Sequence, residues 1–90
     1  MGGSHEYHYY YDCKPEKFVI DSDNERITID HVGDSIVFAF YEIGQVGIDL
    51  WEENDYVLHI RCQLESHYFQ FDNKKDAIKI CTEILNQISQ

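Results

Sequence analysis

The sequence predicts an α+β fold, an antiparallel β-meander of about five or six strands with one C-terminal α-helix packed on one face. Three observations predict it. From Arg26 onward, apolar residues recur with period two, and turn residues interrupt the pattern at intervals. After Asp72 the apolar spacing changes to three or four residues, which indicates a helix. The sheet has one apolar face and the helix has one apolar stripe, and packing the helix on the sheet buries both apolar surfaces.

Ninety residues, of which 43% are hydrophobic, indicate a single domain over residues 1–90. Residues 1–14 are expected to be either flexible or an edge strand. Residues 6–12 contain four tyrosines, which we expect to cover part of the open sheet face. Pro15 suits the link to a second short apolar run at residues 18–20.

The meander begins with Ile27 and Ile29, which alternate with polar residues. Residues 32–35 predict a two-residue hairpin turn with glycine first, and residues 43–46 predict a second hairpin turn. The strand between them, residues 35–43, is apolar on both faces. It is therefore predicted to be central in the sheet.

Residues 56–65 alternate most regularly, and residues 67–71 return as the next strand. Asp72 or Asn73 is predicted to cap the helix, with Asp76 in its first turn. The predicted core combines the inward strand residues with the apolar helix stripe. It consists of Ile27, Ile29, Phe38, Ile48, Leu58, Ile60, Phe69, Ile78, Cys81 and Leu85.

The net charge of −10 is concentrated in one region. Ten of the seventeen Asp and Glu residues lie between Asp21 and Asp55, where Arg26 is the only Lys or Arg. This charge repels nucleic-acid phosphates and anionic lipid head groups, so neither direct nucleic-acid binding nor a membrane is expected. It favours a basic protein as partner.

In a meander the acidic strands are neighbours, so their carboxylates are expected to gather into one partner-binding face. The densest part is a predicted hairpin tip around Trp51. Aromatic residues within the face are the expected anchors of binding. The candidate partner-binding residues are Asp30, Asp34, Tyr41, Glu42, Asp49, Trp51, Glu52, Glu53, Asp55 and Tyr56.

Metal and cofactor signals are weak, and neither a metal nor a cofactor is predicted. Residues 21–25 place acids at alternate positions, but Arg26 stands where a calcium loop needs glycine, so a polar turn is the preferred interpretation. His5 and His8 form an H-x-x-H pair, but no helix or pair of facing strands that would fix two metal ligands is predicted in this segment. The odd number of cysteines argues against a disulfide framework, and mostly buried thiols are expected.

No catalytic motif occurs in the chain, and no enzyme activity is predicted. The leading hypothesis is a small acidic inhibitor that blocks a basic partner, such as a nuclease or another nucleic-acid-handling protein, by imitating nucleic acid. In size and charge alone it resembles phage anti-restriction and anti-CRISPR proteins and nuclease immunity proteins; no specific residues carry that likeness. The alternative is a structural subunit, a homodimer in its simplest form, that self-associates through the open sheet face. A cytoplasmic location is expected because no secretory signal is recognisable.

Overall fold

The computed structural model describes residues 6–53 and 55–88. It contains seven strands, one 3₁₀ turn and one helix. In chain order these are β1 (Tyr7–Tyr11), β2 (Lys17–Asp21), β3 (Arg26–His31), β4 (Asp34–Ala39), the 3₁₀ turn (Phe40–Glu42), β5 (Gln45–Glu52), β6 (Asp55–Arg61), β7 (Glu65–Phe71) and α1 (Lys74–Ile88). The α+β class and the C-terminal helix are confirmed. Within the described ranges, no helix has both the length and the apolar character needed to cross a membrane.

The strands form two sheets, so the prediction of a single meander is wrong. One sheet has the order β2-β3-β4 and is antiparallel. The other has the order β1-β7-β6-β5, with β1 parallel to β7 and the remaining pairs antiparallel. A single helix is too small to cover the apolar face of seven strands, so the apolar residues of the two sheets also bury one another. The shared core includes Ile27, Phe38, Leu58 and Phe69. The helix contacts β5, β6, β7 and the 3₁₀ turn.

The chain leaves the first sheet where a continuing strand was predicted. β4 ends at Ala39, whose N–H donates to Glu42 Oε1 at 3.1 Å in the 3₁₀ turn. The Gly44 N–H then donates to the Arg61 carbonyl oxygen at 2.7 Å, which starts the pairing of β5 with β6. The predicted hairpin at residues 43–46 is therefore wrong. β4 lies at an edge of its sheet, not at the centre.

The turn between β3 and β4 sits one residue earlier than predicted. Its two central residues are Val32 and Gly33, with φ of 46° and 83°, and His31 pairs with Asp34. Positive φ at both positions defines a type I′ turn, whose twist suits a hairpin. The glycine adopts this conformation freely, but a β-branched valine is strained there.

The polar turn predicted at residues 21–25 is confirmed. Asp21 Oδ1 accepts from the Asn24 N–H at 3.1 Å, and Asp21 Oδ2 accepts from Asn24 Nδ2 at 2.8 Å. These two bonds lower the pKa of the Asp21 carboxyl, with a smaller contribution from Arg26. The Asp21 carboxylate thus stabilises the turn through its hydrogen bonds to Asn24.

The helix begins as predicted but presents a slightly different face. Asn73 Oδ1 caps it by accepting from the Lys75 N–H at 2.8 Å. Ile78 and Leu85 are exposed, so their assignment to the core is wrong. The buried residues follow a stripe rotated away from them, with Ile80 and Ile88 packed beside it; they are Ala77, Cys81 and Ile84.

Candidate partner-binding surface

The candidate residues lie in three separate places. Asp30 and Asp34 flank the turn of the β2-β3-β4 sheet. Tyr41 and Glu42 belong to the 3₁₀ turn and line a surface pocket with Arg61. The remaining six lie on the β5–β6 hairpin.

The three groups do not form one continuous acidic face. β6 runs from Asp55 to Arg61, a span of roughly 20 Å at about 3.3 Å per residue. Glu42 lies near the Arg61 end, whereas the hairpin tip lies at the Asp55 end.

The structure does bring together the residues at the β5–β6 tip. Asp49, Trp51, Glu52 and Glu53 are all exposed there. Tyr56 pairs in register with Phe71 of β7 and is half-buried against the core, so it is part of the framework. The tip therefore presents one exposed aromatic ring among several carboxylates.

Trp51 belongs to a larger group of rings on the outer face of the β1-β7-β6-β5 sheet. His59, Tyr68 and Tyr10 occupy one cross-strand row on β6, β7 and β1. Their rings stack nearly parallel, with centroids 4.6 Å apart for His59 and Tyr68 and 4.8 Å apart for Tyr68 and Tyr10. Such offset stacks contribute roughly 0.5–1.5 kcal/mol per pair beyond simple burial.

Trp51 completes what we call the aromatic surface, defined as Tyr10, Trp51, His59 and Tyr68. The indole ring is tilted against Tyr10 at 5.7 Å and against Tyr68 at 5.4 Å. His8 packs at its rim, where Nδ1 lies 3.1 Å from the Tyr68 hydroxyl. Tyr10 is 64% exposed and Trp51 is 44% exposed. The four rings therefore support one another by contact, while Tyr10 and Trp51 remain exposed to solvent.

A notch borders the aromatic surface on β5. Gly47 pairs with His59 in the same cross-strand row, and a Cβ placed on Gly47 would meet no atom within 4 Å. The row thus ends in free space at the position where a side chain of Gly47 would lie. Asp49 lies two residues further along the same face of β5 and is exposed. His59 Nε2 is buried and, among the described residues, has no hydrogen-bond partner.

The inner face of the same sheet carries a buried histidine. His67 Nδ1 lies 3.0 Å from the Tyr11 hydroxyl and Nε2 lies 3.2 Å from Glu65 Oε2, while Phe38 packs edge-on against the ring. Burial lowers the pKa of His67, and the contact with Glu65 opposes that shift without reversing it. Burial thus favours the neutral form of the imidazole, and its contact with Tyr11 joins β1 to the core.

Sequence reasoning missed three members of the aromatic surface. His59 and Tyr68 were assigned to strands but not to a site, and Tyr10 was one of four tyrosines expected to cover an open sheet face. The sequence does indicate the position of His59, because the alternation in β6 places it on the face of the sheet that Leu58 and Ile60 of the core do not share. The pairing of β1 with β7, which adds Tyr10, depends on contacts distant in sequence.

The fold and surface define a two-sheet α+β protein with an exposed aromatic patch beside an acidic hairpin tip. No protein-family model matches the chain, and no curated protein matches it in sequence. Among solved structures, the chain is similar to one from the structure of the Spt16D Pob3N heterodimer. The TM-score is 0.70 over 81% of this chain and 80% of that chain, at 19% sequence identity. At this identity the likeness shows the fold alone.

Proposed function

We propose that the protein is a protein-binding module that uses the aromatic surface and the adjacent acidic tip to bind a basic segment of a partner protein. The observation that carries the proposal is that stacked rings, of which Tyr10 and Trp51 are exposed, share a sheet face with Asp49 and lie next to the acidic hairpin tip. Aromatic faces attract Lys and Arg side chains, and nearby carboxylates pair with the same cations. The proposal assigns the protein no catalytic step.

The notch beside His59 gives the proposal a specific geometry. An arginine guanidinium from the partner enters the free space above Gly47, next to the imidazole of His59, and pairs with Asp49. Trp51 and Tyr10 supply apolar area around it, which is how a few aromatic residues carry most of the affinity of an interface. The carboxylates of Glu52 and Glu53 speed encounter through long-range attraction.

Two further observations support a basic protein partner. The chain has a net charge of −10, which favours a cationic surface over nucleic acid or anionic lipid. The structural neighbour is named as part of a heterodimer, and this supports a protein partner in general. In its more specific form, the proposal is that the partner handles nucleic acid and that occupancy of its basic site inhibits it.

The test is a pull-down at low salt with charge-matched variants. Asp49→Asn, Glu52→Gln and Glu53→Gln together remove three charges from the tip. The control variant removes three charges from exposed positions on other elements, namely Glu16→Gln, Glu25→Gln and Glu83→Gln. A basic protein retained by wild type and control, lost from the tip variant and eluted by moderate salt supports the proposal. Equal retention by both variants contradicts it.

Gly47→Val provides a second variant that separates binding from folding. Gly47 has ordinary strand geometry and free space at Cβ, so valine is expected to stabilise the fold by about 0.4–1 kcal/mol. The same side chain fills the notch and is expected to weaken partner binding at least tenfold, about 1.4 kcal/mol. A protein that is more stable yet binds normally would place the partner elsewhere.

One observation favours the alternative, self-association. Val19, Thr28 and Val37 form a cross-strand row on the outer face of the β2-β3-β4 sheet, and both valines are exposed. A dimer packed through this row would be insensitive to salt and would be broken by Val37→Lys. Sedimentation velocity over a concentration series measures this. A monomer at all concentrations excludes the alternative.

A further inference from the structure

The structure brings together three potential metal ligands that are separated in sequence. Asp12 and Cys13 belong to the connection between β1 and β2, and His31 ends β3. One ligand atom from each, a carboxylate oxygen, Sγ and a ring nitrogen, lies within 4.8 Å of the other two. This cluster lies outside the aromatic surface and has no role in the function proposed above.

The imidazole of His31 contacts both the thiol and the backbone of Cys13. His31 Nε2 lies 3.1 Å from Cys13 Sγ and also 3.1 Å from the Cys13 carbonyl oxygen. A carbonyl oxygen only accepts hydrogen bonds, so a bare nitrogen lone pair facing it is repelled. Nε2 therefore carries either a proton or a cation that it shares with Cys13 Sγ.

The distance between the sulfur and the nitrogen suits a tetrahedral ion. Zinc binds sulfur at about 2.3 Å and nitrogen at about 2.0 Å, which separates two tetrahedral ligands by roughly 3.5 Å. Cys13 Sγ and His31 Nε2 need to part by only a few tenths of an ångström to reach that separation. Asp12 is exposed, so its carboxylate can move inward by rotation of its side chain.

The surroundings fix one ligand and supply more charge. The ring of Tyr11 packs edge-on against His31 at 5.1 Å, which holds the orientation of the imidazole. Asp55 and Asp72 line the same pocket as Asp12 and Cys13, and with Lys14 as the one basic residue of the lining its net charge is negative. A divalent cation is therefore favoured by the local charge as well as by the donor atoms.

We propose that Asp12, Cys13 and His31 form a zinc site with water as the fourth ligand. A thiolate, an imidazole and a carboxylate are the donor set that Zn²⁺ accepts, and three protein ligands leave one position for water. The ion displaces the thiol proton on binding, so affinity falls as pH decreases. Because β1 and β3 belong to different sheets, the ion ties the two sheets together at this end.

The test uses Co²⁺ as a spectroscopic probe on the full chain, freed of metal and kept reduced. Wild type is expected to show a thiolate-to-cobalt charge-transfer band and the intense visible bands of four-coordinate cobalt, saturating at one equivalent and reversed by Zn²⁺. Cys13→Ser removes the charge-transfer band. His31→Ala weakens binding at least about tenfold, since even residues behind a ligand cost that much. His8→Ala controls for binding by exposed histidines and leaves the spectrum unchanged.

A second readout keeps the proposal falsifiable if Cys13→Ser fails to fold. Zn²⁺ is expected to slow alkylation of Cys13 by N-ethylmaleimide in wild type and in the His8→Ala variant, but not in His31→Ala, as followed by mass spectrometry. Cys62 and Cys81 are buried and serve as internal references. Absence of the charge-transfer band, or a band and protection that persist in His31→Ala, would overturn the proposal.

Discussion

Replacement of Val32 by asparagine is expected to stabilise the protein. Val32 has φ of 46°, and the left-handed region costs an L-residue about 1–2 kcal/mol. Asparagine tolerates that region, and Asn-Gly is the preferred pair for a type I′ turn. Val32 is 64% exposed, so the apolar burial lost is roughly a third of a full valine, about 0.5 kcal/mol. The net gain is therefore about 1 kcal/mol.

The assay is urea unfolding followed by circular dichroism, with thermal unfolding beside it. The midpoint concentration is expected to rise with an unchanged m-value, and Tm to rise by about 4–8 °C per kcal/mol for a domain of this size. Val37→Asn is the matched control, because Val37 is also exposed but lies in regular strand geometry. There the substitution should destabilise by up to about 1 kcal/mol.

Gly33→Ala also tests whether positive φ strains a residue with a side chain in this turn. Gly33 has φ of 83° and a Cβ there would touch nothing within 4 Å, so any loss of stability is conformational. A destabilisation of about 1–2 kcal/mol is expected. If Val32→Asn is no more stable than wild type, or if Val37→Asn stabilises equally, the backbone-strain explanation is refuted.

Three other predictions concern titration, thiol chemistry and the helix cap. Because burial lowers the pKa of His67, the unfolded state binds the proton more tightly, and the unfolding free energy should fall as pH drops below about 6.5; His67→Gln should flatten this part of the pH profile. Burial, with smaller contributions from nearby carboxylates, raises the pKa of Cys62 to about 11, and burial also raises the pKa of Cys81. The native metal-free protein should therefore show one thiol that reacts with Ellman's reagent at pH 7, that of Cys13. The unfolded protein should show three. Asn73→Ala should lower the free energy of unfolding in urea by about 1 kcal/mol, because the Lys75 N–H loses its acceptor. An unchanged free energy of unfolding would show that this hydrogen bond does not stabilise the helix.

Local signals predicted the elements whose pattern is self-contained. The alternation in β3 and β6 and the Asn73 cap each depend on neighbouring residues only, and all three are present. The end of β4 at Ala39 was missed because the next residues, Phe40 and Tyr41, have high strand propensity. The exit from the sheet depends instead on a hydrogen bond to a carbonyl far along the chain.

The candidate site was predictable only in part for the same reason. The carboxylates of the β5–β6 tip cluster because a hairpin brings them together. Asp30 and Glu42 were grouped with them on the assumption of one meander, and the division into two sheets separates them. The contact between Cys13 and His31 spans eighteen residues and requires the path of β1, β2 and β3, which no local pattern specifies.

The parallel pairing of β1 with β7 makes the completion of the aromatic surface depend on contacts between the two ends of the chain. Tyr11 and His67 are 56 residues apart in sequence, and Tyr10 reaches Tyr68 only after the same long loop has closed. Contacts of such separation form slowly and are lost when either partner is missing. A chain in which β1 has not paired with β7 therefore lacks Tyr10 and its stack on Tyr68, whereas His59 and Tyr68 can still stack across the β6–β7 pair. A partner that contacts all four rings would therefore bind the fully folded chain more tightly than a chain without the β1–β7 pairing.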